Sequence, residues 1–158
     1  AVQIAQEDIA DLTEEQVKKT FEVNVFSHIF MSQAAIPLLP EGASIIFTAS
    51  AEYYTPNKML LDYAASKSAI VSFSIGLSKQ VIEKGIRVNS ICPVPVWTPL
   101  EISGGNPDED IPEHGLDTPL KRPAQPVEMA WLYVFMASEE ASYVTGEVYG
   151  ITGGVSGK

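Results

Sequence analysis

The sequence predicts an α/β protein built on a parallel sheet, because long helical segments alternate with short apolar strands. Three runs at 43–50, 86–93 and 146–154 have strand length and apolar, largely β-branched character. Helical patterns separate these runs, and helical crossovers join strands in parallel. No repeat or linker divides the chain, so we expect residues 1–158 to form a single domain.

The first long helix is predicted over residues 12–39. Thr13 is a suitable N-cap, and Gln16, three residues later, completes a capping box. Pro40 and Gly42 end the pattern. Apolar side chains recur every four residues and predict one buried stripe, formed by Val17, Phe21, Val25 and Ile29.

The second long helix is predicted over residues 63–84, with Asp62 as its N-cap and Gly85 at the C′ position. A third helix is predicted from Pro126 to about Ala137. Between them lies the segment 94–120, called the excursion below, which is rich in proline and glycine. We expect little regular structure there, and long loops of this kind often cover a binding site.

Composition excludes several classes of protein. The net charge of −10 and the pI near 4.5 disfavour binding to nucleic acid. The apolar runs are much shorter than the roughly 20 residues that cross a bilayer, and the start of the chain does not resemble a secretory signal. The single cysteine, Cys92, is interpreted as core packing, and a reducing, cytoplasmic location is expected.

A phenol and an ammonium group recur four residues apart in this chain. Tyr63 and Lys67 lie within the predicted second helix, so they share one helix face. Tyr54 and Lys58 have the same spacing, but Pro56 between them disfavours a helix. The spacing alone also suits a half-buried tyrosine beside a solvated lysine.

The pair Tyr63 and Lys67 has the residue types that proton transfer requires. A free tyrosine has a pKa near ~10, so an active phenol at neutral pH needs a shift of about three units, or ~4 kcal/mol. One cation about 4 Å away supplies ~4 kcal/mol at an effective dielectric of ~20. We therefore expect Lys67 to lower the pKa of Tyr63.

Two further polar residues are candidates for the same site. Ser50 follows the apolar strand at 43–50, and open parallel sheets bind ligands at the carboxyl ends of their strands. Asn24 lies in the apolar helical stretch VNVF, where its amide needs a partner. A locally satisfied core amide explains Asn24 equally well at this point. His28 is interpreted as helix packing and His114 as solvated, and neither has companions for a metal site.

The ordered set FEVNVF, SIIFTAS, DYAASKSAIVSFSIGLSKQV, GIRVNSICP, VWTPL and SYVTGEVYGITGG resembles the short-chain dehydrogenases/reductases over nearly the whole chain, and bacterial members with an extended N-terminus above all. The resemblance implies a Rossmann-like parallel sheet with flanking helices. It also implies an oxidoreductase that transfers hydride between NAD or NADP and a small carbonyl or alcohol substrate. By position, it implies a catalytic tetrad of Asn24, Ser50, Tyr63 and Lys67.

In such enzymes the tyrosine is the general acid/base, and the lysine also hydrogen-bonds the nicotinamide ribose. The cofactor-binding residues implied here are Tyr63, Lys67, Val96 and Thr98, the last two facing the nicotinamide carboxamide. Family members pack two long helices against other subunits, so a homo-oligomer is expected, with neither nucleic acid nor membrane as partner.

The sequence differs from the family pattern in two places. The strand, glycine-rich turn and helix that receive the cofactor pyrophosphate have no match in this sequence, so we expect the N-terminal half of the fold to be absent and the strand ending near Ser50 to form a sheet edge. Val94 stands where the family usually has glycine. Two hypotheses remain open: the catalytic half of an oxidoreductase, inactive alone, or a catalytically silent remnant that acts as an oligomerising or interaction module.

Overall fold

The sheet of the computed structural model, which describes residues 1–105 and 107–155, has three parallel strands in the order β1-β2-β3. The strands are β1 (Ser44–Thr48), β2 (Arg87–Pro93) and β3 (Val148–Ile151). Ser44 pairs with Arg87 at the start of β2, and Ser90 pairs with Val148. The predicted α/β fold is confirmed, and all three carboxyl ends meet at one edge of the sheet.

Five α-helices occur in the described residues. They are α1 (Glu14–Phe21), α2 (Ser27–Ala35), α3 (Leu61–Val81), α4 (Pro99–Ser103) and α5 (Pro126–Ala137). A π-helical segment, Glu22–Phe26, connects α1 to α2 without a break. Short 3-10 turns occur at Ile9–Asp11, Ile36–Leu38, Ala51–Tyr53, Ile82–Lys84, Ile111–Glu113 and Glu139–Ala141.

Helices α3 and α5 cover opposite faces of the sheet. The hydroxyl of Ser90 donates to the hydroxyl of Ser74 in α3 over 2.6 Å. Arg87, three positions earlier on β2, points to the other face and donates to the carbonyl of Met136 in α5 over 2.9 Å. The buried core lies mainly between α2, α3 and the first two strands. Cys92 is fully buried within it, which confirms its interpretation as core packing.

The first helix begins as predicted, but its buried face is polar. Thr13 accepts a hydrogen bond from the Gln16 amide N–H over 3.1 Å, so the N-cap is confirmed. The Gln16 side chain does not close a capping box, because it donates to the carbonyl of Ile4 instead. In the predicted apolar stripe, Val25 is fully buried and the other three side chains are only half-buried. The fully buried line is Gln16, Thr20 and Asn24.

Asp62 is not the N-cap of α3, so that prediction is wrong. The N-cap is Leu60, and Asp62 lies in the first turn of the helix, where it is buried. Its carboxylate accepts hydrogen bonds from the hydroxyl of Thr20 at 2.6 Å and from the amide of Gln16 at 3.3 Å. These partners on α1 replace water and explain why the carboxylate lies inside. Gly85, with φ of 68°, ends the segment in the left-handed region as predicted.

The excursion has little regular structure, as predicted. Apart from α4 and the 3-10 turn Ile111–Glu113, its described residues form turns and irregular segments, and Asn106 lies outside the described residues. On the other side of the sheet, β1 pairs only with β2 among the described residues, so β1 is an edge strand. None of the helices described is both long and apolar enough to cross a membrane. The last three residues of the predicted domain, 156–158, are also outside the description.

Candidate active site

Tyr63 and Lys67 lie on the first turns of α3, where the helix passes the carboxyl end of β1. Both side chains are buried. The Lys67 ammonium donates a 3.0 Å hydrogen bond to the carbonyl oxygen of Thr48, the last residue of β1. The same nitrogen lies 5.4 Å from the centroid of the Tyr63 ring. The sheet edge therefore fixes the lysine next to the phenol.

Ser50 stands two residues beyond β1, and its hydroxyl lies close enough to the phenol of Tyr63 to lower the pKa of that phenol. It also accepts a 3.2 Å hydrogen bond from the amide N–H of Glu52, as the cap of a 3-10 turn. The structure thus brings Ser50, Tyr63 and Lys67 together at the end of the strand. The Ser50 and Tyr63 side chains line the same cavity.

Asn24 occupies the middle of the π-helical segment and is fully buried. Its amide donates to the carbonyl of Val2 at 2.8 Å and to the hydroxyl of Ser66 at 3.1 Å. Its oxygen accepts from the amide N–H of Val2 at 2.7 Å. The Ser66 hydroxyl in turn donates to the backbone carbonyl of Tyr63. Asn24 therefore reaches the tyrosine through Ser66, and its amide is locally satisfied.

Burial controls the acid–base properties of the pair. The pKa of Tyr63 is raised to about 12, mainly because the phenol is buried, and the nearby hydroxyl of Ser50 lowers it only in part. The pKa of Lys67 is lowered to about 8 for the same reason. The pKa of Tyr63 is therefore not brought toward neutrality in the cofactor-free chain, although the spacing to Lys67 had led us to expect this. Loss of hydration outweighs the attraction of an ammonium that is itself buried and bonded to Thr48.

Val96 and Thr98 lie on the excursion, beside the carboxyl ends of the strands. Val96 forms a parallel bridge with Ala124. Thr98 is the N-cap of α4, and its hydroxyl makes no capping hydrogen bond. Both residues line a cavity of about 930 Å³ together with Ser50, Tyr63 and Lys67, whereas Asn24 is not part of the lining. Val94 also lines this cavity, and its amide N–H donates to the carbonyl of Ile151.

Two residues that the sequence did not indicate as site residues, Glu101 and His114, line the same cavity. His114 is not solvated as expected, because its side chain is only 17% exposed and its Nδ1 lies 3.0 Å from the Glu101 Oε2 atom. Acidic neighbours of His114 were visible in the sequence, but Glu101 is thirteen positions away. Only the fold of the excursion brings the two together.

The remaining sequence candidates take no part in the site. The ring of His28 packs 5.6 Å from the ring of Phe47, which confirms it as helix packing. Tyr54 and Lys58 lie outside any helix, and Lys58 is exposed, so Pro56 acts as expected. Among the described residues, no three His, Cys, Asp or Glu side chains are grouped as metal ligands would be.

Comparisons with known proteins point to one family. A family model described as enoyl-(acyl carrier protein) reductase, of the short-chain dehydrogenase type, matches residues 1–156. The uncharacterized oxidoreductase YhxD of Bacillus subtilis is 62% identical over 97% of this chain and 52% of its own length. The glucose and ribitol dehydrogenase of Daucus carota is 44% identical over 98% of this chain and 53% of its own length.

A solved structure has the same fold. A short chain dehydrogenase family protein from Francisella tularensis superposes with a TM-score of 0.85 at 30% sequence identity. The match covers 98% of this chain and 68% of that protein. The chain spans about half the length of the curated relatives it matches.

Proposed function

This chain belongs to the short-chain dehydrogenase/reductase family of oxidoreductases, and from that premise we propose that it supplies the catalytic half of an NAD(P)-dependent enzyme that interconverts a carbonyl and an alcohol. One observation carries the proposal. Ser50, Tyr63 and Lys67 are buried side chains that together line a cavity at the carboxyl edge of a parallel sheet, and Lys67 is held there by its hydrogen bond to Thr48. Ligands bind at this edge in open α/β folds.

Tyr63 is the proton-transfer group in this proposal. With a pKa raised to about 12, its phenol is protonated at neutral pH and acts as a general acid toward a carbonyl oxygen. In reduction, the Tyr63 Oη atom gives its proton to the substrate oxygen as that oxygen gains charge. In oxidation, the same atom accepts the proton from the alcohol. The Ser50 hydroxyl orients the substrate oxygen beside the phenol.

Lys67 and Asn24 support the tyrosine in this proposal. Near neutral pH, Lys67 carries a positive charge that stabilises the phenolate left after proton transfer. Its hydrogen bond to Thr48 holds that charge in place. Asn24 anchors the turn of α3 that bears Tyr63 through Ser66, and we propose that it also positions a water in a proton relay.

The nicotinamide end of NAD or NADP fits the described residues. Lys67 and Thr98 offer donors, Val96 offers its backbone, and all three line the same cavity as Tyr63. When bound, the cofactor supplies or accepts the hydride at the substrate carbon. The phosphate end has no such counterpart, because within residues 1–105 and 107–155 no glycine-rich turn leads from a strand into a long helix. Gly153 and Gly154 follow β3 and lead into no described helix.

We therefore propose that these 158 residues alone bind a dinucleotide weakly and do not catalyse hydride transfer. A few contacts at the nicotinamide end must offset an association cost of at least ~4 kcal/mol, so dissociation constants are expected in the millimolar range or weaker. Val94, which stands in the cavity lining, weakens binding further. Titration calorimetry with oxidised and reduced NAD and NADP tests this. A micromolar affinity for any of the four would contradict it.

The activity itself is tested in the whole protein that the gene encodes. Reduced NAD and NADP carrying deuterium at the transferable position are incubated with a panel of aldehydes, ketones and aldoses. Mass spectrometry of the product alcohol should find deuterium on the former carbonyl carbon. If no member of the panel acquires deuterium and no alcohol is oxidised in the reverse direction, the oxidoreductase proposal fails.

We also propose that the chain self-associates through exposed apolar side chains. Phe30 and Met31 on α2 are 62% and 71% exposed, and Trp131 and Val134 on α5 are 72% and 60% exposed. Groups of large exposed apolar side chains usually mark contact surfaces. Light scattering at micromolar concentration should give a mass above that of one chain. Self-association without any hydride transfer in the whole protein would favour the interaction module instead.

A further inference from the structure

The excursion contributes a polar pair to the catalytic cavity, formed by Glu101 and His114. Glu101 lies on α4, and its amide N–H donates to the carbonyl of Thr98 over 3.1 Å. His114 follows the 3-10 turn Ile111–Glu113, and its Nδ1 atom lies 3.0 Å from Glu101 Oε2. The His114 ring also lies 6.3 Å from the ring of Trp97. The pair is therefore fixed beside the segment that carries Val96 and Thr98.

The contact with Glu101 decides which nitrogen of His114 carries the proton. Burial lowers the pKa of His114, which favours the neutral imidazole at neutral pH. A carboxylate only accepts hydrogen bonds, so a neutral ring bonded to it through Nδ1 carries its proton there. The other nitrogen, Nε2, is then an acceptor. It is buried and has no hydrogen-bond partner among the described residues.

A buried acceptor without a partner is costly, and a ligand with a hydroxyl group removes that cost. His114 lines the same cavity as Tyr63, so a ligand in the cavity is the natural source of that hydroxyl. Because Nε2 is buried in the cofactor-free structure, the ring must rotate for this nitrogen to meet such a donor.

The cavity also has a strongly acidic lining. Five carboxylates take part in it, namely Glu52, Glu101, Asp110, Glu113 and Asp117. Lys67 is the lone lysine or arginine among the described lining residues. The Glu101 carboxylate raises the pKa of Tyr63 by charge repulsion, so it lies within electrostatic reach of the reacting phenol. An anionic group on a substrate would meet the same repulsion.

We propose that Glu101 and His114 form a substrate-selecting pair that favours uncharged substrates bearing a hydroxyl group beside the reacting carbonyl or alcohol, and disfavours anionic ones. The hydroxyl donates to His114 Nε2, while Glu101 holds the ring and repels carboxylates and phosphates. The inference rests on the proposed function, because it assigns a substrate class to that same cavity. Neither residue is required to move the proton that Tyr63 transfers.

The test uses the whole protein labelled with ¹⁵N-histidine, and two probes of equal carbon number, ribitol and ribonate. The His114 resonances are assigned by comparison with the His114→Phe variant. In the unliganded protein we expect the proton on Nδ1. Ribitol should shift the Nε2 resonance upfield as it accepts a hydrogen bond, and ribonate at equal concentration should bind about fivefold more weakly or worse.

Two matched variants separate the effect of the Glu101–His114 pair from the effect of the net charge of the excursion. Glu101→Gln should reduce the discrimination between ribitol and ribonate by about fivefold, which corresponds to about 1 kcal/mol. Glu109→Gln removes an exposed carboxylate of the same excursion that does not line the cavity, and should leave the discrimination unchanged.

Several outcomes overturn the proposal. A wild-type ring protonated on Nε2, no response of His114 to ribitol, or equal binding of ribonate each contradicts it, even if the variants fold poorly. The deuterium-transfer assay on the same wild-type protein is scored separately. Absence of hydride transfer there would count against the oxidoreductase proposal, whereas the histidine measurements alone decide the role of the pair.

Discussion

The two regions that line the cavity are built in different ways. The first carries the residues proposed for proton transfer and is called the catalytic wall for that reason. It consists of the end of β1, the first turns of α3 and the π-helical segment behind them. Its key polar groups are partnered within the chain: Lys67 bonds Thr48, and Asn24 makes three hydrogen bonds. The second region, the excursion, contains a buried His114 nitrogen that has no partner in the described part of the chain. The groups proposed for proton transfer are thus held by hydrogen bonds within the chain. The His114 nitrogen proposed for substrate selection, in contrast, can still accept a hydrogen bond from a ligand.

The largest expected effect is on the catalytic wall. Replacing Tyr63 by Phe keeps the ring and removes the proton, so turnover of the whole protein should fall by at least the ~10²-fold typical of a lost general acid/base. Cofactor affinity, measured by calorimetry, should change little. Tyr54→Phe is the control, because Tyr54 lies outside α3 and has only the spacing in common. Equal losses of activity in the two variants would refute the choice of Tyr63.

A second effect should appear in the stability of the cofactor-free protein. The pKa of Lys67 falls to about 8 in the fold, so the unfolded chain binds more protons above that pH, and stability rises from about pH 8 toward about pH 10.5. Below pH 8 the buried charge costs about 3 kcal/mol. Lys67→Met removes that cost but also the hydrogen bond to Thr48, worth about 1 kcal/mol.

The net expectation is that Lys67→Met stabilises the fold by about 2 kcal/mol at pH 7, with the gain shrinking as the pH rises through about 10. Urea unfolding at several pH values measures it. Lys58→Met serves as the control, since Lys58 is exposed and should show no such pH dependence. A Lys67→Met protein that is less stable than wild type at pH 7 would show that the lysine is not an electrostatic burden in the cofactor-free state.

Adding a single methyl group to the excursion should lower the stability of the protein. Gly115, next to His114, has φ of 79°, and an added Cβ would lie 2.6 Å from the backbone nitrogen of Pro123. Gly115→Ala should therefore destabilise the protein by about 1–3 kcal/mol. Gly76→Ala in the middle of α3, where a Cβ meets nothing within 4 Å, should stabilise it by about 0.5–1 kcal/mol. Urea midpoints that shift in the same direction for both variants would contradict this account.

The sequence predicted the strand and the long helix of the catalytic wall well, because both are regular elements. The strand 43–50, the helix that bears Tyr63 and Lys67, and the serine at the strand end all follow from periodicity and spacing over short distances. The buried polar contacts were harder to predict from the sequence. Asp62 looks like a cap in sequence, and only its packing against Thr20 on α1 shows that it is a buried acceptor.

The excursion could be predicted only as a loop. Its pairing of Glu101 with His114 depends on how the chain turns between them, and no periodic pattern encodes such a turn. The acid–base properties of Tyr63 and Lys67 could not be predicted from the sequence either. The spacing of Tyr63 and Lys67 gives the sign of their interaction, but it does not give the burial that outweighs it.

The most direct test of the account is the ionisation of Tyr63 in the cofactor-free protein. Burial is expected to keep this phenol protonated well above its ordinary pKa of ~10, ready to act as an acid. Phenolate absorbance is followed from about pH 6 to about pH 10 in wild type and Tyr63→Phe. Over this pH range, wild type should form no more phenolate than Tyr63→Phe, because Tyr63 stays protonated. A phenolate that forms near neutral pH in wild type and is missing from Tyr63→Phe would contradict it, and would return Lys67 to the role of lowering the pKa of the tyrosine.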